Sequence, residues 1–351
     1  MNMIFFITRR NVMTNLKFTF LVIIACIFMS CDIITDSEEF TLIVLPDTQI
    51  YSYDKPDFRQ CSRKEIFEQQ TKWIADNAKK ENIKFVLHVG DIVQLENELY
   101  QWENANKSMS TLDGIVPYCF AVGNHDLVND STRNTTNFNN TFPYSRYKSE
   151  KWYGGRMLND GFTPKDNYDN SYHFFSGGGM DFMIVSLECG PTDDMIAWAN
   201  DIIIENSDKR VIVITHSYML GNNTRDKTTD YLPPSPPANS GEMLWQKLIS
   251  KHANIFLVLS GHHENSVEHM GLLKSKGIHG NIVNQLLCGD WFDGWLRILN
   301  FVPDENKIVV KTYSPWQPES PSDQWRKYNF ALPNHHLDRF HEYEISYDQH
   351  D

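Results

Sequence analysis

Residues 115–126 read IVPYCFAVGNHD, an apolar run that ends abruptly in Gly, Asn, His and Asp. Residues 83–91, IKFVLHVGD, show the same pattern one unit earlier, with an apolar run interrupted only by His88 and then Gly90-Asp91. Short apolar runs bounded by such residues are typical of buried strands. We read His88 as a core histidine. Two strands that end in this way predict that Asp91 and Asn124 lie at the carboxyl edge of one parallel sheet.

The segments around these two strands complete an alternating pattern. Residues 40–46 form an earlier apolar run that ends at Asp47, and residues 66–78 and 99–112 place apolar side chains at helical spacing. Ser62 and Glu65 have the spacing of a capping box for the first of these helices. The resulting βαβαβ order predicts an α/β fold with a parallel sheet covered by helices. Later strands are predicted at residues 172–175, 182–187, 211–215, 255–259, 282–287, 296–302 and 308–313.

Ligand-type side chains follow five of the predicted strands. They are Asp47, Asp91, Asn124, His216 and His262. Each alone has a structural explanation: a turn former for Asp47, or a hydrogen-bonding histidine for His216. As an ordered set of carboxylate, amide and imidazole groups they predict two divalent cations held side by side at one edge of one sheet.

The ordered motifs resemble those of the calcineurin-like metallophosphoesterases, whose signature runs Asp-x-His, Gly-Asp, Gly-Asn-His-Asp/Glu, His, Gly-His-x-His. The resemblance covers residues 40–264, and the strands up to Pro315 fit the second sheet of that family. It implies a four-layer αββα sandwich with the metal site at the carboxyl ends of the strands. The resemblance implies that Asp91 bridges both metals, that Asn124, His216 and His262 complete one ligand set, and that Asp47 and Gln49 belong to the other. It also implies that His125 is the general acid and that Asp126 orients the His125 ring.

Two positions depart from the family signature. Gln49 and Glu264 stand where histidines are expected, and by family logic both belong to the same metal. That ligand set would contain oxygen donors alone, which favours Mn²⁺, Mg²⁺ or iron, whereas the other set could take Zn²⁺, Mn²⁺ or iron. An alternative register uses His263 as the ligand and leaves Glu264 outside. The cofactors are therefore expected to be two divalent metal ions (Mn, Fe, Zn or Mg) in a centre with unlike ligand sets.

The function that follows is hydrolysis of a phosphomonoester or phosphodiester by a metal-bridging hydroxide, with His125 protonating the leaving group. A nuclease or nucleotide phosphodiesterase is a narrower alternative. The formal net charge of −13 disfavours general nucleic-acid binding, which normally needs a basic face. A second alternative is a non-catalytic exported binding protein on a degenerate enzyme scaffold. The expected partner is a small phosphoester, and the sequence does not specify an oligomeric state.

Residues 1–30 combine three basic residues, no acid and a short apolar stretch, as in a secretory signal. Ser30-Cys31 resembles a bacterial lipobox, so we expect an exported lipoprotein anchored to the membrane through Cys31, on the periplasmic face or the cell surface. An ordinary signal peptide or an uncleaved anchor helix are the alternatives. The expected organisation is a signal peptide at 1–30, an acidic tether at 31–39, the metallophosphoesterase domain at 40–317 and a packed tail at 318–351.

Two stretches inside the domain interrupt the strand and helix order. Residues 128–170 are rich in Asn, Thr and aromatic residues and lack a period, so we read them as an insertion folded against the site entrance. A solvated loop with a satellite aromatic core is the alternative. Residues 221–241 are long, polar and rich in proline, and we expect them to face the substrate.

Overall fold

The computed structural model describes residues 38–54, 63–128, 133–158, 167–229, 232, 237–263, 270–289, 294–316 and 342–347. All of these belong to one compact unit, residues 37–351. The predicted signal segment with Cys31, the ligand Glu264 and most of the predicted tail lie outside the described residues. Among the described helices, none has both the length and the apolar character needed to cross a bilayer.

The apolar runs form strands of two large sheets and one short hairpin. Their bounds are β1 Phe40–Leu45, β2 Ile83–His88, β3 Tyr118–Phe120, β4 Tyr153–Arg156, β5 Ser171–Gly177, β6 Met180–Ser186, β7 Arg210–Ile214, β8 Met219–Leu220, β9 Thr224–Arg225, β10 Ile255–Ser260, β11 Met270–Lys276, β12 Ile282–Cys288, β13 Leu296–Val302, β14 Lys307–Tyr313 and β15 Glu342–Ser346.

The first sheet has the order β15-β14-β13-β1-β2-β3 and the second β11-β12-β10-β7-β6-β5-β4. Strands β1, β2 and β3 are parallel, as the βαβαβ pattern predicts. Strand β13 joins this sheet antiparallel to β1, with Phe301 opposite Phe40. In the second sheet, β6, β7, β10 and β12 are parallel. The described part of the tail adds β15 to the edge of the first sheet.

Helices cover the outer face of each sheet. Their bounds are α1 Gln49–Tyr53, α2 Lys64–Asn77, α3 Leu99–Met109, α4 Thr136–Thr141, α5 Asp193–Glu205 and α6 Gly241–Lys247. Alternate residues of β1 divide between two cores: Leu42 and Val44 pack between the sheets, and Ile43 and Leu45 pack under the helices. A third core lies between the second sheet and α5. These layers confirm the expected αββα sandwich.

Ser62 of the predicted capping box lies outside the described residues. Helix α2 begins after Arg63, whose side chain makes no cap hydrogen bond. The carboxylate of Asp54 instead accepts hydrogen bonds from the backbone N–H groups of Arg63 (2.9 Å) and Lys64 (3.2 Å). A carboxylate at a helix start satisfies donors that have no partner within the helix.

The described aromatic residues of the 128–170 stretch belong to a main core. Phe138, Phe142, Tyr147 and Tyr168 are buried in the same core as Ile43 and α3, so they are not a separate cluster. Their aromatic character therefore reflects core packing.

A buried ion pair fastens the start of this stretch. Arg133 donates through Nε to Glu188 (2.7 Å) and through Nη2 to the carbonyls of Cys189 and Gly190 (2.8 and 2.9 Å). Asn170 donates to the second oxygen of Glu188 at 2.9 Å. These bonds connect the aromatic stretch to the loop after β6.

Candidate metal centre

The carboxyl ends of both sheets meet at one rim of the sandwich. Asp47, Asp91 and Asn124 follow β1, β2 and β3 of the first sheet, whereas His216 and His262 follow β7 and β10 of the second. The prediction that one sheet supplies all five residues is therefore wrong. Two parallel strand sets, stacked face to face with their carboxyl ends together, bring the groups to the same place.

The His216 ring lies at the centre of this group. It is fully buried, and its Nδ1–H donates to the Val89 carbonyl at 2.9 Å. Its Nε2 lies 3.0 Å from Asn124 Oδ1, 3.2 Å from Asp91 Oδ2 and 3.2 Å from His262 Nδ1. Since Nδ1 carries its proton toward Val89, Nε2 is the ring nitrogen that faces the other ligand-type atoms.

Electrostatics favour a positive charge between these atoms. Burial disfavours a charged imidazole, but Asp91, Asp47 and the Val89 carbonyl outweigh it and raise the pKa of His216 to about 9. Burial also opposes ionisation of Asp91, yet the His216 ring lowers the pKa of that carboxyl to about 2. Burial and the neighbouring His216 lower the pKa of His262 to about 3. The site therefore favours an ionised carboxylate beside a cation.

A divalent metal ion fits this donor set. One ligand atom from each of Asp91, His216 and His262 lies within 4.8 Å of the other two. With the amide oxygen of Asn124 they form a mixed oxygen and nitrogen set that suits Zn²⁺, Mn²⁺ or iron.

Two members of the second predicted ligand set, Asp47 and Gln49, lie among the described residues. Asp47 is fully buried; its Oδ2 accepts the backbone N–H of His262 at 3.0 Å, and its Oδ1 lies 4.0 Å from His216 Nδ1. Gln49, the first residue of α1, is 3% exposed, and its Oε1 is buried without a hydrogen-bond donor among the described residues. A buried amide oxygen in that state is costly unless it binds a partner such as a cation. Glu264 lies outside the described residues.

His263 has different partners from His262. Its Nε2 lies 3.3 Å from Asp226 Oδ2 and 3.4 Å from Ser217 Oγ. Asp226 belongs to the 221–241 stretch, and its other oxygen accepts the Thr228 N–H at 2.9 Å. The structure thus places His262 with the metal-type group and links His263 to the polar loop. Glu264, the ligand in the other register, lies outside the described residues.

Backbone geometry at the site is unusual. Asp91 and His262 have φ angles of +51° and +72°, a region that non-glycine residues rarely adopt. Gly90 has φ +100°, and a Cβ there would lie 2.8 Å from His216 Nδ1. Such conformations cost free energy and cluster at functional sites, where they direct side chains that regular structure cannot.

The predicted role of Asp126 as orienter of the His125 ring is wrong. Its Oδ1 accepts the backbone N–H groups of Ile92 (2.7 Å) and Val93 (3.0 Å), and its Oδ2 accepts that of Gly123 (2.9 Å). The His125 ring instead donates through Nδ1–H to the Gln94 carbonyl at 2.8 Å. Asp126 therefore shapes the two loops around His125 rather than contacting its ring.

Gln94 is a site residue that the sequence analysis missed. Its side-chain amide nitrogen also lies 3.2 Å from His125 Nδ1. The only sequence signal is its position three residues after Asp91, which nothing distinguishes from the other polar loop positions. His125 is joined to the metal-type group through its backbone, since its N–H donates to Asp91 Oδ1 at 2.9 Å.

Comparisons with known proteins agree with this architecture. A family model described as calcineurin-like phosphoesterase matches residues 40–263. The protein YvnB of Bacillus subtilis (strain 168) is 31% identical over 285 residues, which is 79% of this chain. The chain spans about a fifth (20%) of the length of that relative.

Solved phosphatase structures are among the matches. A purple acid phosphatase from yellow lupin (Lupinus luteus) seeds matches 89% of this chain and 54% of its own, with a TM-score of 0.52 and 12% identity, so its likeness concerns the fold alone. A dimetal phosphatase from Danio rerio matches 79% of this chain and 97% of its own, with a TM-score of 0.47 and 14% identity.

Proposed function

Because this chain belongs to the calcineurin-like phosphoesterase family, we propose that it hydrolyses phosphoric esters with the help of two divalent cations. The observation that carries the proposal is the convergence of Asp91, Asn124 and His262 on the Nε2 atom of His216, all within 3.2 Å. Groups from four separate strand ends meet there in a buried site, which core packing alone does not require.

The residues divide into two unlike ligand sets. Asn124, His216 and His262 would hold one cation, Asp47, Gln49 and Glu264 would hold the other, and Asp91 would contact both. Two cations held in this way would supply a nucleophilic water and would neutralise the charge that develops on the phosphoryl oxygens. The buried Gln49 Oε1 supports the oxygen-rich set.

His125 is suited to donate the proton to the departing oxygen. As an imidazolium, the ring would keep its Nδ1–H on the Gln94 carbonyl and present its Nε2–H to the leaving group. The ring is half-buried, and the backbone N–H of the same residue is fixed on Asp91. These contacts support a role for His125 as general acid beside Asp91.

The direct test is hydrolysis of p-nitrophenyl phosphate and bis-p-nitrophenyl phosphate with added Mn²⁺. We expect release of p-nitrophenol from at least one ester and loss of that release when EDTA is added. The matched control is the Asp91→Asn variant under the same conditions. If the protein hydrolysed neither ester and no member of a panel of nucleotides and alkyl phosphoesters, the alternative of a binding protein on a degenerate scaffold would be favoured.

The unlike ligand sets predict unequal metal affinities. After loading with Zn²⁺ and exhaustive dialysis, we expect about one tightly held ion per chain, because oxygen-only ligation is a poor match for zinc. Replacing Gln49→His should add an imidazole to the weaker set and raise the retained zinc toward two ions, as read by elemental analysis. Two equally retained zinc ions in the unmodified protein would refute the asymmetry.

A further inference from the structure

The loop that follows β2 is held by side chains at four successive backbone amides. Asp126 Oδ1 accepts the N–H groups of Ile92 and Val93. Gln101 Oε1 accepts those of Gln94 at 2.8 Å and Leu95 at 3.1 Å. Two side-chain oxygens, Asp126 Oδ1 and Gln101 Oε1, therefore fix the backbone of residues 92–95.

Gln101 is well placed to be a fixed anchor. It lies in the first turn of α3 and its side chain is completely buried. Its own amide nitrogen donates to the Tyr100 hydroxyl at 3.4 Å. A buried amide oxygen that accepts two backbone N–H groups is costly to remove, because both donors would then be left without a partner. An apolar side chain at position 101 would pack α3 equally well, so packing alone does not explain the glutamine.

Gln101 fixes the backbone N–H of Gln94, and the carbonyl of Gln94 in turn contacts the His125 ring. The Gln94 carbonyl lies 2.8 Å from His125 Nδ1 and can only accept, whereas the Gln94 side-chain nitrogen lies 3.2 Å away and can only donate. The closer carbonyl favours the Nδ1–H tautomer, so the backbone position of Gln94 directs the ring. We propose that Gln101 is a positioning residue for His125, acting through the backbone of Gln94. This inference rests on the proposed function, in which His125 Nε2 faces the leaving group.

The test compares Gln101→Met, which keeps the length but removes the acceptor, with Gln101→Glu, which retains one. For Gln101→Met we expect kcat/KM to fall about 10- to 100-fold on an alkyl phosphoester and less than about 3-fold on the matching p-nitrophenyl ester. Mn²⁺ affinity by calorimetry should change less than about 3-fold, since none of the ligands moves. Gln101→Glu should recover most of the alkyl ester activity.

A measurement independent of turnover separates this inference from the proposed function. In ¹⁵N NMR spectra of the unmodified protein, His125 Nδ1 should appear as a protonated nitrogen, and Gln101→Met should convert it to a mixture of tautomers. If Gln101→Met does not fold, Gln101→Ala serves the same two measurements. An unchanged His125 tautomer, or equal losses on both esters, would overturn the positioning role. If the unmodified protein were inactive but Gln101→Met still changed the His125 tautomer, the proposed function alone would be overturned.

Discussion

Replacing Asp91 with asparagine is expected to lower kcat/KM for phosphoesters by about 10³-fold or more and to remove tight binding of at least one cation. Asp91 Oδ2 lies 3.2 Å from His216 Nε2, and Oδ1 accepts the His125 N–H. The amide that replaces it has no charge and offers only one acceptor oxygen. It can therefore neither balance a cation beside His216 nor keep both contacts.

Calorimetric titration with Mn²⁺ and steady-state kinetics measure this loss directly. Removing the Asp91 charge relieves its repulsion of Asp126, whose pKa burial and Asp91 together raise to about 7, but it also removes the carboxylate beside the buried His216 ring. Circular dichroism of the variant must therefore show that it is folded before its metal affinity is compared. The matched control is Asp169→Asn, a buried carboxylate that accepts from Thr135 (2.9 Å) and Asn139 (2.8 Å) outside this group. Full metal affinity in Asp91→Asn would contradict the bridging assignment.

His125→Ala should separate chemistry from metal binding. We expect Mn²⁺ affinity within a few-fold of the unmodified protein but a loss of about 10²- to 10⁴-fold in kcat on esters of aliphatic alcohols. The loss should be much smaller with p-nitrophenyl esters, whose leaving group needs little protonation. The reason is that the ring is held by Gln94 and not by the metal-type residues.

The control for this experiment is His252→Ala, which removes another well-packed histidine whose Nε2 lies 2.7 Å from Asn200 Oδ1. It should leave turnover on both kinds of ester unchanged. If His125→Ala hydrolysed an alkyl ester at the normal rate, the assignment of His125 as general acid would be wrong.

Local patterns predict the strands and the order of the ligand-type residues well. An apolar run followed by a polar loop residue needs only nearby sequence, so Asp91 and Asn124 are placed at the ends of β2 and β3 as expected. The same holds for His216 after β7 and His262 after β10. Each prediction depends on burial of a short strand, which a continuous run of apolar residues indicates directly.

Features that depend on distant contacts are the ones that sequence patterns miss. The family resemblance assigns the strands up to Pro315 to the second sheet, but β13 and β14 belong to the first. This placement depends on the pairing of β13 with β1, more than 250 positions earlier, as the register Phe40 to Phe301 shows. The carboxylate of Asp54, nine positions before Arg63, accepts backbone N–H groups at the start of α2. The role of Asp126 is likewise decided by which backbone amides the folded loop presents. None of these leaves a periodic signal.

The central claim is that groups from both sheets bind a pair of ions at their common rim. Anomalous diffraction from crystals soaked in Mn²⁺ tests it most directly. We predict one anomalous peak within bonding distance of Asp91, Asn124, His216 and His262, and a second about 4 Å away that contacts Asp91, Asp47 and Gln49. Ions bound elsewhere, with Asp91 and His262 contacting no common metal, would contradict the account.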